Sequence, residues 1–211
     1  MVKLEELLDE ALKSSKRRNF VQSVDVIVTI DKNRAKAQTF NELVYLPVKF
    51  RSPDEIVIIG SGDVALEAKR QNLRLVDPDT LDRLATNKRE AKKLATRSFA
   101  FIAEASLMPR VGKALGPILA PRGKMPVPIP NVAALQATFE RLLGATRLRG
   151  RNVFGVQAKI GYENMSKEDL LKNAKALIDY LEKKLPPKSI DRIGFKLTMG
   201  KPVKAKYDEV S

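Results

Sequence analysis

The chain has no cysteine, no histidine and no tryptophan among its 211 residues. Without thiols there are no disulfides, no thiolate metal sites and no sulfur nucleophile. Without imidazole the commonest neutral-pH acid, base and metal ligand is missing, which removes most hydrolase and metalloenzyme designs. Aromatic residues make up 6% of the chain and form no interleaved basic and aromatic pattern, so stacking of single-stranded bases is poorly supported. Carboxylates are scattered without a pairing that suggests glycoside hydrolysis. No segment offers the ~18 uninterrupted apolar residues of a spanning helix. The start, Met-Val-Lys-Leu-Glu-Glu-Leu-Leu-Asp-Glu, is acidic and amphipathic, unlike a signal peptide, and a cytoplasmic protein without membrane contact is expected.

What is present is cationic. Lys and Arg number 39 against 25 Asp and Glu, giving a net charge of +14, the electrostatic footprint of a polyanion binder. Residues 105–139 contain no acid at all while carrying Arg110, Lys113, Arg122 and Lys124. Between positions 112 and 130 this stretch holds Gly112, Gly116 and Gly123 together with Pro117, Pro121, Pro126, Pro128 and Pro130. Proline fixes φ and removes donors while glycine permits φ > 0, so a shaped, partly rigid loop displaying cations is predicted there, not a helix or a central strand.

Leu4, Leu7, Leu8, Ala11 and Leu12 fall at helical spacing and predict a helix over 3–16. The cluster Lys16, Arg17, Arg18 follows; it suits either a helix C-terminus or a phosphate contact. Val24, Val26, Val28 and Ile30 alternate with Ser23, Asp25 and Thr29 in a strand over 19–30. A polar connection over 31–42 and a second strand over 43–49 are predicted next. From Ser52 the texture becomes βαβ: short apolar strands near 55–59, 73–76 and 99–103 alternate with helices after Gly62, after Asp77, over 87–96, from about 106 and over 132–143. After Arg147-Leu-Arg-Gly-Arg151 the first pattern returns, with a strand over 153–160, a capping box at Ser166 and Asp169 opening a helix to Leu185, and a last strand over 190–199.

The economical architecture is a discontinuous α+β domain, residues 1–51 plus 152–211, with a doubly wound α/β domain, residues 52–151, inserted into it. The two chain crossings near 50–54 and 150–153 make a natural hinge. Ten cations against seven acids in 1–51, seventeen against ten in 52–151 and twelve against eight in 152–211 make both domains basic, as a partner touching both would require.

Gly60-Ser-Gly62-Asp-Val-Ala65 fits the G-x-G-x-x-G/A dinucleotide pattern, with Asp77 ending the next strand, and equally fits a tight βα turn needing small residues. An oxidoreductase using Gly60, Gly62 and Asp77 is thus an alternative, against which stand Asp63 beside the phosphate position and the absence of redox side chains. Asp77-Pro-Asp79 reads as a helix N-cap. In the last strand, alternation places Lys196 and Thr198 on one face, with Phe195, Leu197 and Met199 on the other. Gly200 permits a close backbone approach. The same lysines would also guard an edge strand. Shape reading of folded RNA through phosphate and 2′-hydroxyl contacts suits these features best, with an unspecific RNA chaperone as a further alternative.

Three separated motifs in order, Asn19-Phe20-Val-Gln-Ser23-Val-Asp25, Leu115-Gly116-Pro117-Ile-Leu-Ala-Pro-Arg122-Gly123-Lys124-Met-Pro and Thr198-Met199-Gly200, resemble the L-one family of large-subunit ribosomal proteins in its archaeal and eukaryotic form. The resemblance covers nearly the whole chain. It implies a Rossmann-like domain inserted into an RNA-binding domain, no enzymatic activity and no cofactor. It further implies binding to large-subunit ribosomal RNA in the mobile stalk beside the exit site, assistance to departing deacylated tRNA, repression of the protein's own mRNA, and a monomer off the ribosome. By motif, the main RNA surface comprises Phe20, Ser23, Asp25, Thr198, Met199 and Gly200, to which position adds Lys159, Lys196 and Lys201. Arg122, Gly123 and Lys124 would form the second domain's RNA contact. Ala120 stands where family members commonly carry glycine, so φ > 0 is not expected there. Asp25, an acid inside a phosphate-rich interface, would have to accept ribose hydroxyls or orient a cation.

Overall fold

Alternating burial along Ser23–Ile30 forms the central strand β1 of the first unit: Val24, Val26, Val28 and Ile30 are buried, and the intervening residues are half-buried. The structure, a computed structural model, describes residues 3–209. It divides into one unit that runs to Phe50 and resumes at Gly144, and a second spanning 51–143.

In the first unit, helix α1 (Leu4–Ser14) buries Leu4, Leu7, Leu8 and Ala11. Strand β2 (Gln38–Tyr45) begins five residues earlier than the apolar run suggested, because Phe40 enters the core from within the polar connection. Its partner is β7 (Ala145–Val153), antiparallel, pairing Tyr45 with Ala145 and Asn41 with Arg149. Residues 145–151, expected to close the inserted domain, therefore belong to a strand of the first unit. Of its arginines, Arg149 and Arg151 are exposed and Arg147 is half-buried, all on the side of the strand opposite the buried Leu148. Strand β8 (Gly155–Tyr162), helix α7 (Lys167–Lys184), β9 (Ile190–Leu197) and β10 (Val203–Lys206) complete the unit. The sheet order is β10-β9-β1-β8, antiparallel throughout. Helices α1 and α7 share one core with its inner face, which leaves the opposite face for polar side chains. Strand β10, unforeseen because lysines alternate with Val203 and Ala205, lies close because Gly194 has no side chain: a Cβ there would stand 2.2 Å from the Val203 carbonyl oxygen.

The second unit is a parallel sheet of β3 (Ile56–Ile59), β4 (Arg74–Val76), β5 (Ala100–Glu104) and β6 (Val127–Ile129) in the order β4-β3-β5-β6. All four residues of β3 are buried, as expected of a parallel strand covered on both faces. Val57, Ile59, Phe101 and Ala103 share a core with α3 (Pro78–Thr86), α4 (Lys88–Arg97) and α5 (Met108–Leu119). Helices α2 (Gly62–Arg70) and α6 (Val132–Leu143) complete the element order.

The glycine- and proline-rich stretch differs from expectation. Residues 112–119 are helical, continuing α5 through Pro117, because Val111, Leu115, Ile118 and Leu119 make a buried stripe whose burial outweighs the ~3 kcal/mol cost of an interior proline. Pro117 and Lys113 are both exposed, so the carbonyl left without its amide partner can turn to water. The helix stops where Gly123 adopts φ 66° and the Lys124 amide donates to the Leu119 carbonyl at 2.9 Å, a left-handed closure that glycine favours. Ala120 stays right-handed at φ −60°. Pro128 sits in β6 at the sheet's edge, where its missing donor is tolerated.

Candidate nucleic-acid interface

Gln22 continues the inward parity of β1 and is buried at 1% exposure. Its side-chain Nε2, with two hydrogens to give, lies within hydrogen-bond reach of three acceptors: Ser15 Oγ at 3.2 Å, the Lys16 carbonyl at 3.3 Å and Glu163 at 3.2 Å. Its Oε1 accepts the Met199 amide at 3.2 Å, and its own backbone N–H donates to Glu163 at 3.0 Å. One glutamine thus ties the end of α1, the β8–α7 turn and the turn after β9 to the start of β1. Beside it the Ser23 amide donates to Thr198 Oγ1 at 2.9 Å, the two hydroxyls lie 2.9 Å apart, and the Thr198 amide donates to the Ser23 carbonyl at 3.1 Å. Residues 175 positions apart in sequence form one rim.

Around this rim stand exposed apolar side chains, Phe20 at 51%, Val21 at 51% and Met199 at 60%. Met199 was expected on the apolar face of the last strand. The strand instead ends at Leu197, and the turn closed by the Gly200 amide on the Leu197 carbonyl, 3.0 Å, throws Met199 outward. Gly200 packs 3.4 Å, measured from a would-be Cβ, from Ser15 Oγ, and Lys201 is exposed beyond it. Lys16, Arg17 and Arg18 lie past the end of α1 and are exposed. Lys13 is the basic residue of the helix's last turn, so the cluster faces solvent next to Gln22.

Along the open face of the sheet, Asp25 pairs with Lys159 on one side and Lys196 on the other. Directly opposed residues share a face, so this acid is flanked by two lysines. It also accepts from Gln157 Nε2 at 2.7 Å. The Lys159 ammonium sits 3.5 Å from the centroid of the Tyr162 ring, a cation–π contact that holds its stem in place. Arg192 pairs with Thr29 and Lys206, and Lys204 with Gly194, extending the cationic face in a way the site assignment from sequence missed. Gln22 was also missed; its one legible signal was a polar residue at the inward parity of a strand.

In the second unit Arg122, Gly123 and Lys124 are all half-buried. Arg122 donates to the Ile118 carbonyl at 2.9 Å, and the Lys124 ammonium donates to the carbonyls of Ala95, 2.8 Å, and Ser98, 2.6 Å, at the end of α4. Both cations thus brace α4 and α5 as well as presenting charge.

The glycine turn after β3 carries acids where a dinucleotide would need donors. Glu104 accepts the Ser61 amide at 3.0 Å and the Ser61 hydroxyl at 2.9 Å, placing its carboxylate at the N-cap of α2. Asp77 accepts the Thr80 amide at 2.8 Å as the N-cap of α3. Hydrogen bonds from Ser106 first, then from the Ser61 amide and hydroxyl, hold the Glu104 carboxyl below the usual range. A depressed folded-state value stabilises the protein above the unfolded pKa, near ~4.3, and that contribution is lost as pH falls through the folded value. Glu104→Gln should therefore melt below wild type at pH 7, with the gap closing below about pH 4. Thermal melts at both pH values check it.

Among the described residues no metal-ligating cluster of acids occurs and no helix is long and apolar enough to cross a membrane. Fold and surface together define a two-unit α/β protein with a cationic open sheet face and a hydrogen-bonding rim suited to a polyanion. The chain belongs to the ribosomal protein L1p/L10e family, whose model matches residues 12–201. It is 44% identical to the large ribosomal subunit protein uL1 of Thermofilum pendens, over 98% of this chain and 94% of that protein. The uL1 proteins of Aeropyrum pernix and Archaeoglobus fulgidus are each 38% identical, covering 96% of this chain and 94% and 96% of theirs.

Proposed function

We propose that the chain is a non-enzymatic constituent of the large subunit of the cytoplasmic ribosome that anchors folded large-subunit ribosomal RNA on the rim of its first unit. Phe20, Ser23, Thr198, Met199 and Gly200 contact the RNA's sugar and groove surface, and Lys201 with Lys16, Arg17 and Arg18 takes adjacent phosphates. Lys159 and Lys196 continue the phosphate track, with Asp25 between them accepting ribose hydroxyls. The observation that carries this is the Gln22 hub, which gathers three sequence-distant segments into one exposed rim. The second unit is a Rossmann-like domain inserted at two chain crossings, with Arg122, Gly123 and Lys124 as its RNA contact. In this scheme the bound RNA forms the mobile stalk at the exit site and assists release of deacylated tRNA. A mimic of the same RNA site in the protein's own mRNA makes it a translational repressor, and off the ribosome it is a monomer without a cofactor.

Filter binding to the organism's stalk RNA and to an unrelated folded RNA of equal length tests the reading. Tighter stalk binding that survives rising salt is expected, because screening weakens phosphate contacts to both RNAs alike; coincident curves would reduce the protein to a generic polycation. In the same assay Asp25→Ala should weaken stalk binding by about tenfold, the loss of one charge-assisted hydrogen bond, without weakening the unrelated RNA. Unchanged stalk affinity would remove Asp25 from the interface.

A further inference from the structure

The second unit holds a cationic cleft that lies apart from the Arg122–Lys124 turn in sequence and has a different lining. It has a volume of about 400 Å³ and is lined by Arg74, Thr80, Arg83, Glu90, Lys93 and Arg97 over a floor that includes Leu84 and Leu94. Strand β4, which supplies Arg74, is the free edge of the parallel sheet. Helix α3 supplies Thr80 and Arg83, and α4 supplies Glu90, Lys93 and Arg97 at i, i+3 and i+7, one face of a helix.

Four cations thus face one acid. Glu90 lies 4.0 Å from Arg83, and both are more than half exposed, a pairing worth little. Helix-end electrostatics account for Arg83 and Arg97, each in the last turn of its helix. They do not account for Lys93, in the middle of α4, or Arg74, on a strand. Lys93 and Arg97 are like charges four residues apart, an arrangement that costs stability unless an anion lies between them. The end of α4 gives Lys93 no role, since Arg97 lies in its last turn and Lys124 serves the carbonyls of Ala95 and Ser98.

We propose that this cleft is a second RNA-binding site, one that holds the phosphate backbone of ribosomal RNA independently of the rim in the first unit. Its lining contains no aromatic side chain, so it offers nothing for a base to stack on, and it reads backbone only. Lys88, Arg89 and Lys92, exposed on α4, extend the track beyond the cleft. The choice of RNA over another polyanion rests on the family membership and on the proposed function above.

The test is filter binding of deproteinised, full-length large-subunit ribosomal RNA by the full chain, from low to moderate salt. Three proteins are compared: wild type, the cleft variant Arg83→Gln/Lys93→Gln/Arg97→Gln, and the rim variant Ser23→Ala/Thr198→Ala. Glutamine keeps helix propensity, and a charge-keeping variant, Arg83→Lys/Lys93→Arg/Arg97→Lys, guards against a folding artefact. Each phosphate contact contributes about 0.7 to 0.9 to the slope of log affinity against log salt. The cleft variant should lose about 2 from that slope and roughly tenfold in low-salt affinity, while the charge-keeping variant binds as wild type does.

An unchanged slope in the cleft variant overturns the site, whatever the rim variant does. A loss in the charge-keeping variant equal to that in the cleft variant also overturns it, since packing would then be the cause. A cleft-variant loss with an intact rim variant supports the cleft while removing the anchor proposed for the first unit. Tripolyphosphate that protects wild type but not the cleft variant against heat, with RNA slopes equal, would identify a small-anion site and overturn the RNA assignment.

Discussion

Replacing Gln22 with leucine is expected to destabilise the first unit by about 3 kcal/mol and to weaken stalk-RNA binding by about a hundredfold. The side chain is almost wholly buried, so leucine fits the volume while leaving the Met199 amide, the Lys16 carbonyl and one Glu163 oxygen without their partner. Each buried group so orphaned costs about 1 to 3 kcal/mol, partly recovered where the rim opens to water. The RNA effect is larger than the loss of one contact because Gln22 fixes where Met199 and Lys16 stand relative to Ser23. All four tyrosines, Tyr45, Tyr162, Tyr180 and Tyr207, lie in the first unit, so tyrosine fluorescence during urea unfolding reports on that unit alone. Lys175→Leu, at an exposed position of α7, serves as the comparison and should move stability by no more than about 0.5 kcal/mol.

Asn173→Leu should cost about as much, ~3 kcal/mol, through a different part of the unit. Asn173 is fully buried on α7. Its Oδ1 accepts the Val48 amide at 2.9 Å, and its Nδ2 donates to the Val48 carbonyl at 3.1 Å and the Ile160 carbonyl at 2.8 Å. Residues 46–50 have left the β2 ladder, and the Asn173 side chain supplies the pairing that a neighbouring strand would otherwise provide. The same urea experiment checks it; a loss under about 1 kcal/mol would mean that water or a repacked neighbour satisfies Val48.

These two amides mark the limit of what the sequence discloses. Periodicity found α1, β1 and α6 because each has a continuous apolar face, and the Asp77 and Ser166 caps were legible because their side chains bond within their own turns. The rim was legible as three motifs, but not as a hub. Gln22 and Asn173 make their partners 141 and 125 residues away, and sequence spacing carries no trace of such pairings. Residues 112–119 failed for another reason: glycine and proline were given their local meaning, while the buried stripe of Val111, Leu115, Ile118 and Leu119 decided the helix. Strands β2, β7 and β10 were hidden or shortened because polar residues interrupt their apolar positions, and Glu42, on the same side of β2 as Phe40 and Val44, finds its partners Tyr180 and Lys184 only on α7. Lys124 shows the converse: the sequence marks it as a displayed cation, and the fold also ties its ammonium to two carbonyls.

The most direct test of the rim is methyl NMR of the full chain labelled at its methionines. Met199 is exposed beside Ser23 and Thr198, whereas Met108 is half-buried at the start of α5 in the second unit. On titration with stalk RNA in moderate salt, the Met199 methyl resonance should shift or broaden to saturation at one equivalent while Met108 stays in place. A Met199 resonance that does not move when the RNA is fully bound would contradict the account, because the RNA would then be held somewhere other than the rim that Gln22 assembles.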